Sequence, residues 1–165
     1  MCLSGAKGID IIMKADVYKN LEKLSIKLPD PLPKGGLYQP VKQCGNLLYV
    51  SGQGSIEDGK NLTGRVGAGA SLEEAQHAAR VCGLNTVAAL QAYLGDLNRI
   101  KQCVKILGFV AGVNDFTDQP KAMNGCSQLF VDVFGENGGH ARSAIGTNSL
   151  PLGLLVEVES IWEIE

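Results

Sequence analysis

The segment LLVEVESIWEI at residues 154–164 constrains the fold most, because apolar and acidic residues alternate along it. Successive side chains of a β-strand point to opposite faces of a sheet. Val156 and Val158 therefore share one face, and Glu157 and Glu159 share the other. Such a strand needs an apolar cover on one side and water or another protein surface on the opposite side. The alternation predicts a sheet that helices cover on one face.

Two long helices are predicted upstream to supply this cover. The first begins after Ser71, which forms a capping-box pattern with Glu74, and ends at Gly95. The second begins near Asp118 and ends at Gly135. The residues predicted to face the sheet are Leu72, Ala75, Ala79, Cys82, Ala89 and Tyr93 in the first helix, and Met123, Ser127, Phe130, Val131 and Phe134 in the second.

Five strand patterns flank these helices. The first two form a hairpin, from Pro40–Cys44 to Leu47–Val50, around a Gly-Asn turn. A strand of about eight residues follows within 99–113, and two more cover 141–146 and 154–164. The predicted order is β-β-α-β-α-β-β, which is an α+β arrangement with both helices on one face of the sheet.

Arg142 and Glu157 are separated by fourteen uncharged residues. If strands 141–147 and 154–164 pair as a hairpin, the two charged side chains lie at the same level and within reach of one site. Arg142 is then a guanidinium fork for a carboxylate; the alternative is a surface arginine. Glu157 either belongs to that site or is one acid of a solvated sheet face.

The N-terminal part of the chain differs in character from the rest. Residues 1–34 are predicted to form an arm with a short helix near Ala15–Leu24. An extended segment follows, because Pro31 and Pro33 fit neither a helix nor a central strand. Residues 35–165 are long enough for one compact domain.

Composition and charge argue against several functions. The net charge is -2, and no basic run offers the stripe that nucleic-acid binding requires. A signal peptide and an apolar run long enough to span a bilayer are also absent from the sequence. The five cysteines form no CxxC pair and, with two histidines, supply no zinc-ligand spacing. We expect unpaired, mostly buried thiols, a cytoplasmic protein and no membrane partner.

Three further positions are candidates for a small-molecule site. Tyr38 follows the flexible pair Gly35-Gly36 and can fold over a pocket, although packing is its commoner role. Asn124 lies in the first turns of the second helix, where its amide either meets a substrate or is exposed. The SGQG segment at 51–54 lacks the lysine and the following helix of a phosphate-binding loop.

Three segments of the sequence resemble the RidA/YjgF family of enamine/imine deaminases, formerly called endoribonuclease L-PSP. They are GNLLYVSGQ, GFVAGVNDFTDQPKAMNG and ARSAIGTNSLPLGLLVEVESI. The resemblance runs from about Gly35 to Glu165. It implies a chorismate-mutase-like fold with two helices on a mixed sheet, and a homotrimer with a central β-barrel and pockets between subunits.

The resemblance also implies roles for individual residues. Arg142 would bind a substrate carboxylate and Glu157 would help to position the hydrolytic water. The residues implied to line the pocket are Tyr38, Gly52 and Asn124, together with Ser143 and Ala144 beside the arginine. The implied reaction hydrolyses an enamine or imine such as 2-aminoacrylate to a 2-keto acid and ammonia, with neither a metal nor an organic cofactor.

The sequence departs from the deaminases of this family at three places. Ala144 stands where they carry a cysteine, and the segments Thr63–Ala70 and Thr117–Asn124 are longer. These departures indicate a divergent branch and leave two other functions open. One is a non-catalytic module that binds a small carboxylate or a partner protein. The other is a ribonuclease, which would need a basic track and an acid–base pair such as two histidines.

Overall fold

The computed structural model describes residues 16–165, so Cys2 and Ala15 lie outside the described residues. The helices are α1 (Val17–Lys23), α2 (Leu72–Leu94) and α3 (Gln119–Phe134). The strands are β1 (Val41–Cys44), β2 (Leu47–Gly54), β3 (Ile56–Glu57), β4 (Lys60–Asn61), β5 (Arg65–Val66), β6 (Gly69–Ala70), β7 (Ile100–Ala111), β8 (Ala141–Thr147) and β9 (Val156–Ile164). The predicted order of long elements is confirmed, and β3 to β6 are short additions between β2 and α2.

The five longer strands form one mixed sheet in the order β1-β2-β9-β7-β8. β8 runs parallel to β7, as expected for two strands joined by the crossover helix α3. The other neighbours are antiparallel, and β9 pairs with β2 on one side and with β7 on the other. The strand that comes last in sequence therefore lies at the centre of the sheet.

The side chains of β9 account for its central place. Val156, Val158, Trp162 and Ile164 are buried on the face that the helices cover, as the alternation predicted. Ser160 is buried among them, and its hydroxyl accepts a hydrogen bond of 2.8 Å from Trp162 Nε1. A strand with so much apolar surface is most stable where neighbours on both edges complete its backbone hydrogen bonds.

Both long helices pack on this face of the sheet. The capping box predicted for α2 is present, since Ser71 and Glu74 bond reciprocally through side chain and backbone. Phe130 of α3 contacts Trp162 with ring centroids 4.9 Å apart. The helices also approach each other closely, because a Cβ atom added to Gly125 of α3 would overlap the Gln76 carbonyl oxygen of α2.

Some details of the predicted core are wrong. Tyr93 and Val131 were placed on inward faces but are 46% and 42% exposed. β7 has twelve residues rather than about eight. Cys82, Cys103 and Cys126 are buried and unpaired, as expected, whereas Cys44 is exposed.

The N-terminal segment packs onto the same core. Val17 and Leu21 of α1 are buried, and Ile26 and Leu28 of the extended segment lie against the core cluster. Asn20 Nδ2 donates to the Val133 carbonyl of α3 at 2.9 Å. Within residues 16–165, the helices lack the combined length and apolar character needed to cross a bilayer.

Candidate functional site

Arg142 is held against helix α3 by its Nη1 group alone. This nitrogen donates to Asn124 Oδ1 and to Ser127 Oγ, each at 3.0 Å. Asn124 and Ser127 lie three residues apart, so one face of α3 presents both acceptors. The Nε and Nη2 groups of Arg142 donate to no group in the described chain, and no carboxylate within residues 16–165 pairs with this arginine. The half-buried guanidinium therefore keeps one edge available for an anion.

The surface beside these acceptors is an open groove of about 540 Å³. Asn124, Ser127 and Gln128 of α3 supply much of its polar lining, and Gln76 of α2 faces them. A compound bound at the free edge of Arg142 would have polar groups of α3 on one side.

Glu157 lies at a different place, beside the irregular part of β2. The β2–β9 register shifts between Val50 and Gln53, which places Gly52 against the Glu157 side chain. A Cβ atom at Gly52 would overlap Glu157 Oε1. Burial raises the pKa of the half-buried Glu157 carboxyl, and the neighbouring Glu159 raises it further. Gly52 thus provides the space that the carboxylate occupies.

The register of β7 shows that Arg142 and Glu157 point to opposite faces of the sheet. Arg142 is level with Ile106 and Glu157 is level with Phe109. Residues level with each other on neighbouring strands point to the same side, and positions 106 and 109 of one strand point to opposite sides. Ile106 is fully buried under the helices, so Glu157 extends from the other face. That surface is called the open sheet face below.

The predicted hairpin between strands 141–147 and 154–164 is therefore wrong. β7 lies between β8 and β9, and the two strands do not pair. Two physical preferences explain the difference. β9 is apolar enough to occupy the centre, whereas β8 has only exposed and half-buried residues and suits an edge. Within one chain, the structure brings Arg142 to Asn124 and Gly52 to Glu157, but does not bring the two pairs together.

None of the other predicted pocket residues forms a hydrogen bond with Arg142. The Tyr38 hydroxyl accepts a hydrogen bond of 3.1 Å from the Gly35 N–H, and its ring is exposed. Ser143 Oγ accepts from Lys105 Nζ at 2.8 Å on the open sheet face. Ala144 faces the helices and packs against the core cluster.

Two residues of the Arg142 cluster were not predicted as site residues. His140 Nε2 lies 3.0 Å from Ser127 Oγ, and its Nδ1 lies 2.6 Å from the Gly138 carbonyl oxygen. His140 is two residues before Arg142, so the alternation of an extended segment could have placed both on one face. Ser127 was predicted only as an inward-facing residue of the second helix. The sequence gives no sign of its contact with His140, because the two residues lie in different elements.

The buried thiols of the described chain are poor nucleophiles, and its residues form no metal site. Burial raises the pKa of Cys82, Cys103 and Cys126 well above the ordinary value, so these thiols stay protonated. Among residues 16–165, no group of three His, Cys, Asp or Glu side chains is arranged to hold a metal ion. The chemistry available at the cluster is therefore that of Arg142, Asn124, Ser127 and His140.

The substitution Gly52→Ala should displace the Glu157 carboxylate. The added methyl group would occupy the space of Oε1, so the carboxyl must move outward into water and its raised pKa should fall toward the ordinary value. Carbon-13 NMR titration of the glutamate carboxyl groups measures this change. Gly54→Ala is the control, because its methyl group would meet Leu154 instead. An unchanged Glu157 pKa in Gly52→Ala would contradict this account.

Comparison with known proteins finds a matching family and a similar protein. The family model described as "YjgF/chorismate mutase-like, putative endoribonuclease" matches residues 20–164. Protein TCP17 of Trypanosoma cruzi is 41% identical over 158 residues, which cover 94% of this chain and 99% of TCP17.

Two solved structures are similar to this chain, and their backbones match it to different degrees. Atu1372 from Agrobacterium tumefaciens, a protein with unknown function, is 42% identical with a TM-score of 0.83, covering 90% of this chain and 94% of its own. RidA from the Antarctic bacterium Psychrobacter is 26% identical with a TM-score of 0.54, covering 82% of this chain and 94% of its own. The backbone follows Atu1372 more closely than RidA.

Proposed function

The chain belongs to the RidA/YjgF family, and from this premise we propose that it is a hydrolytic deaminase of small enamine or imine carboxylates. A compound resembling 2-aminoacrylate would be converted to a 2-keto acid and ammonia. The observation that carries the proposal is the Arg142 guanidinium, which is fixed through Nη1 and keeps a free edge without a carboxylate partner in the described chain. Arginine binds a carboxylate with two parallel hydrogen bonds, which fixes the orientation of the carbon beside it.

The reaction requires a fixed orientation of the substrate and the transfer of protons. Arg142 would hold the carboxylate, and the Asn124 amide beside it would contact the nitrogen or the carboxylate. Glu157 would hold the water that attacks C2, and its raised pKa makes this carboxylate a stronger proton acceptor than an ordinary glutamate. Tyr38, Gly52, Ser143 and Ala144 are proposed to line the same pocket. No metal or organic cofactor enters these steps.

A site that contains both Arg142 and Glu157 requires a second copy of the chain. The two side chains leave opposite faces of one sheet. We propose a homotrimer in which open sheet faces form a central barrel and β8 of one copy approaches Glu157 of the next. The open sheet face supports this, because Tyr49 and Ile145 are 44% and 47% exposed there. Leu107 and Phe109 add apolar surface between them that association would bury.

The test of the proposed function is complementation between two inactive variants. Arg142→Ala and Glu157→Gln are each expected to lose most pyruvate formation from 2-aminoacrylate generated in situ. When the two are unfolded together and refolded in equal amounts, about one quarter of the sites should combine an intact Arg142 with an intact Glu157. Activity should recover to about that fraction of the wild type.

The outcomes separate the parts of the proposal. A wild type that does not accelerate pyruvate formation contradicts the deaminase activity itself. If the wild type is active but the refolded mixture of the two variants recovers no activity, the proposal of a site shared between subunits is contradicted. Calorimetry with pyruvate distinguishes a binding module, since Arg142-dependent heat without turnover would indicate binding alone. We also propose that the protein acts in the cytoplasm, where its free thiols remain reduced.

A further inference from the structure

Ser127 and His140 form an ordered chain of hydrogen bonds that ends at Arg142. A backbone carbonyl only accepts, so the 2.6 Å contact with the Gly138 oxygen places the proton of His140 on Nδ1. Nε2 of the neutral ring is then an acceptor, and the Ser127 hydroxyl donates to it at 3.0 Å. The same Ser127 oxygen accepts from Arg142 Nη1 at 3.0 Å. Each hydrogen bond along this path therefore joins one donor to one acceptor.

The surroundings keep His140 neutral. Burial lowers the pKa of its imidazole, and the positive charge of Arg142 lowers it further, against the favourable contact with Gly138. Among residues 16–165, the other side chains that contact the ring are uncharged. They are Ser127 and Phe130 of α3, and the Phe130 ring meets the imidazole edge-on with centroids 5.9 Å apart. Arg142 is thus the charged group that acts on His140.

We propose that His140, acting through the Ser127 hydroxyl, accepts and returns a proton for a carboxylate-bearing compound bound at Arg142. The inference deepens the proposed function and rests on it. The geometry resembles the pairing of a serine with a histidine base, with a carbonyl in the place of the orienting third group. Ser127 also lines the groove beside Asn124, next to the space where such a compound would lie.

The proton steps balance for hydrolysis of a protonated imine. Water attacks C2, a C–O bond forms, and the electron pair of the C=N π bond moves to nitrogen. The water proton passes to Ser127 Oγ while the serine proton passes to His140 Nε2. The reverse transfer protonates the nitrogen, the C–N bond breaks, and the remaining hydroxyl proton leaves with ammonia as ammonium. The products are the 2-keto acid and ammonium, and the pair returns to its starting state.

Binding of the carboxylate prepares this transfer. A negative charge on the free edge of Arg142 offsets the guanidinium charge that opposes protonation of His140. The imidazole therefore becomes a better proton acceptor when a carboxylate is present. A network with a purely structural role would hold β8 on α3 and leave kcat independent of the protonation of His140.

The test compares the pH dependence of three variants. Ser127→Ala and His140→Gln should each lower kcat for 2-aminoacrylate by roughly 100-fold and leave KM within about threefold. The wild-type rate should fall as the pH drops through the His140 pKa in the complex, because a protonated ring cannot accept a proton. His140→Gln should lose the part of this acidic limb that follows His140 and keep any part that follows Glu157. His77→Gln is the control, since His77 bonds to Glu57 elsewhere on the surface and should retain the wild-type profile.

A profile with an unchanged acidic limb in folded His140→Gln overturns the inference. If the wild type does not turn over 2-aminoacrylate at all, the proposed function fails, and an NMR titration then tests whether a carboxylate at Arg142 acts on His140. Saturating pyruvate should raise the His140 pKa in the wild type and not in Arg142→Ala. A His140 pKa that pyruvate leaves unchanged overturns the inference independently of turnover.

Discussion

Replacing Arg142 by alanine is expected to lower kcat/KM for 2-aminoacrylate by roughly 100- to 1,000-fold. Hydrogen bonds to charged groups contribute about 1.5–3 kcal/mol each, so loss of a bidentate guanidinium–carboxylate pair should cost about 3–4 kcal/mol, and each 1.4 kcal/mol corresponds to about a factor of ten. The loss should appear in substrate binding and in orientation, because the carboxylate fixes the position of C2. Pyruvate formation from the compound generated in situ measures it.

Arg142→Lys provides the comparison that separates charge from shape. An ammonium group keeps the positive charge but offers no planar fork, so this variant should lie between the wild type and Arg142→Ala. Folding should be little affected, since removal of the side chain loses two hydrogen bonds of a half-buried group. Equal activity of wild type and Arg142→Ala would remove this residue from the site.

Gly125→Ala is expected to lower the free energy of unfolding by about 3 kcal/mol or more, and the Tm by roughly 6–12 °C. The new methyl group would overlap the Gln76 carbonyl oxygen and lie 2.9 Å from its carbon. These atoms belong to the backbone of α2, which cannot yield without moving the whole helix. Thermal and urea denaturation monitored by circular dichroism measure the change.

Gly83→Ala on the facing helix is the matched control. Its methyl group would lie 2.8 Å from Leu129 Cδ2, the end of a side chain that can rotate away. Alanine also favours a helix over glycine by about 1 kcal/mol, which offsets part of the remaining strain. Equal losses of unfolding free energy in the two variants would show that the close approach of the α2 and α3 backbones is not the reason why position 125 needs glycine.

The local features of the fold were predictable because neighbouring residues determine them. The capping box at Ser71 and Glu74, the end of α2 at Gly95 and the alternation in β9 each depend on a few adjacent residues. The inward positions predicted for Tyr93 and Val131 were wrong. A 3.6-residue period gives the direction of the buried helix face, but it does not give the width of the face that the sheet covers.

The arrangement of the site was not predictable from the same patterns. Which strands become neighbours depends on the surface of the whole sheet, so the insertion of β7 between Arg142 and Glu157 has no local signal. The contact of His140 with Ser127 likewise joins two elements. Among the residues named by family resemblance, Asn124 therefore bonds to Arg142 and Gly52 lies against Glu157. Tyr38 and Ser143 bond elsewhere, and the roles of all these residues remain predictions.

The central place of β9 also has a consequence for the order in which the protein folds. Without this strand, β1 and β2 on one side and β7 and β8 on the other have no backbone pairing between them. The sheet is therefore two incomplete halves until its final strand enters between them and joins both. Pairings so distant in sequence slow folding, and they leave the strand edges that β9 will cover open to other chains in the meantime. Dilution during refolding should consequently favour the native state over aggregates.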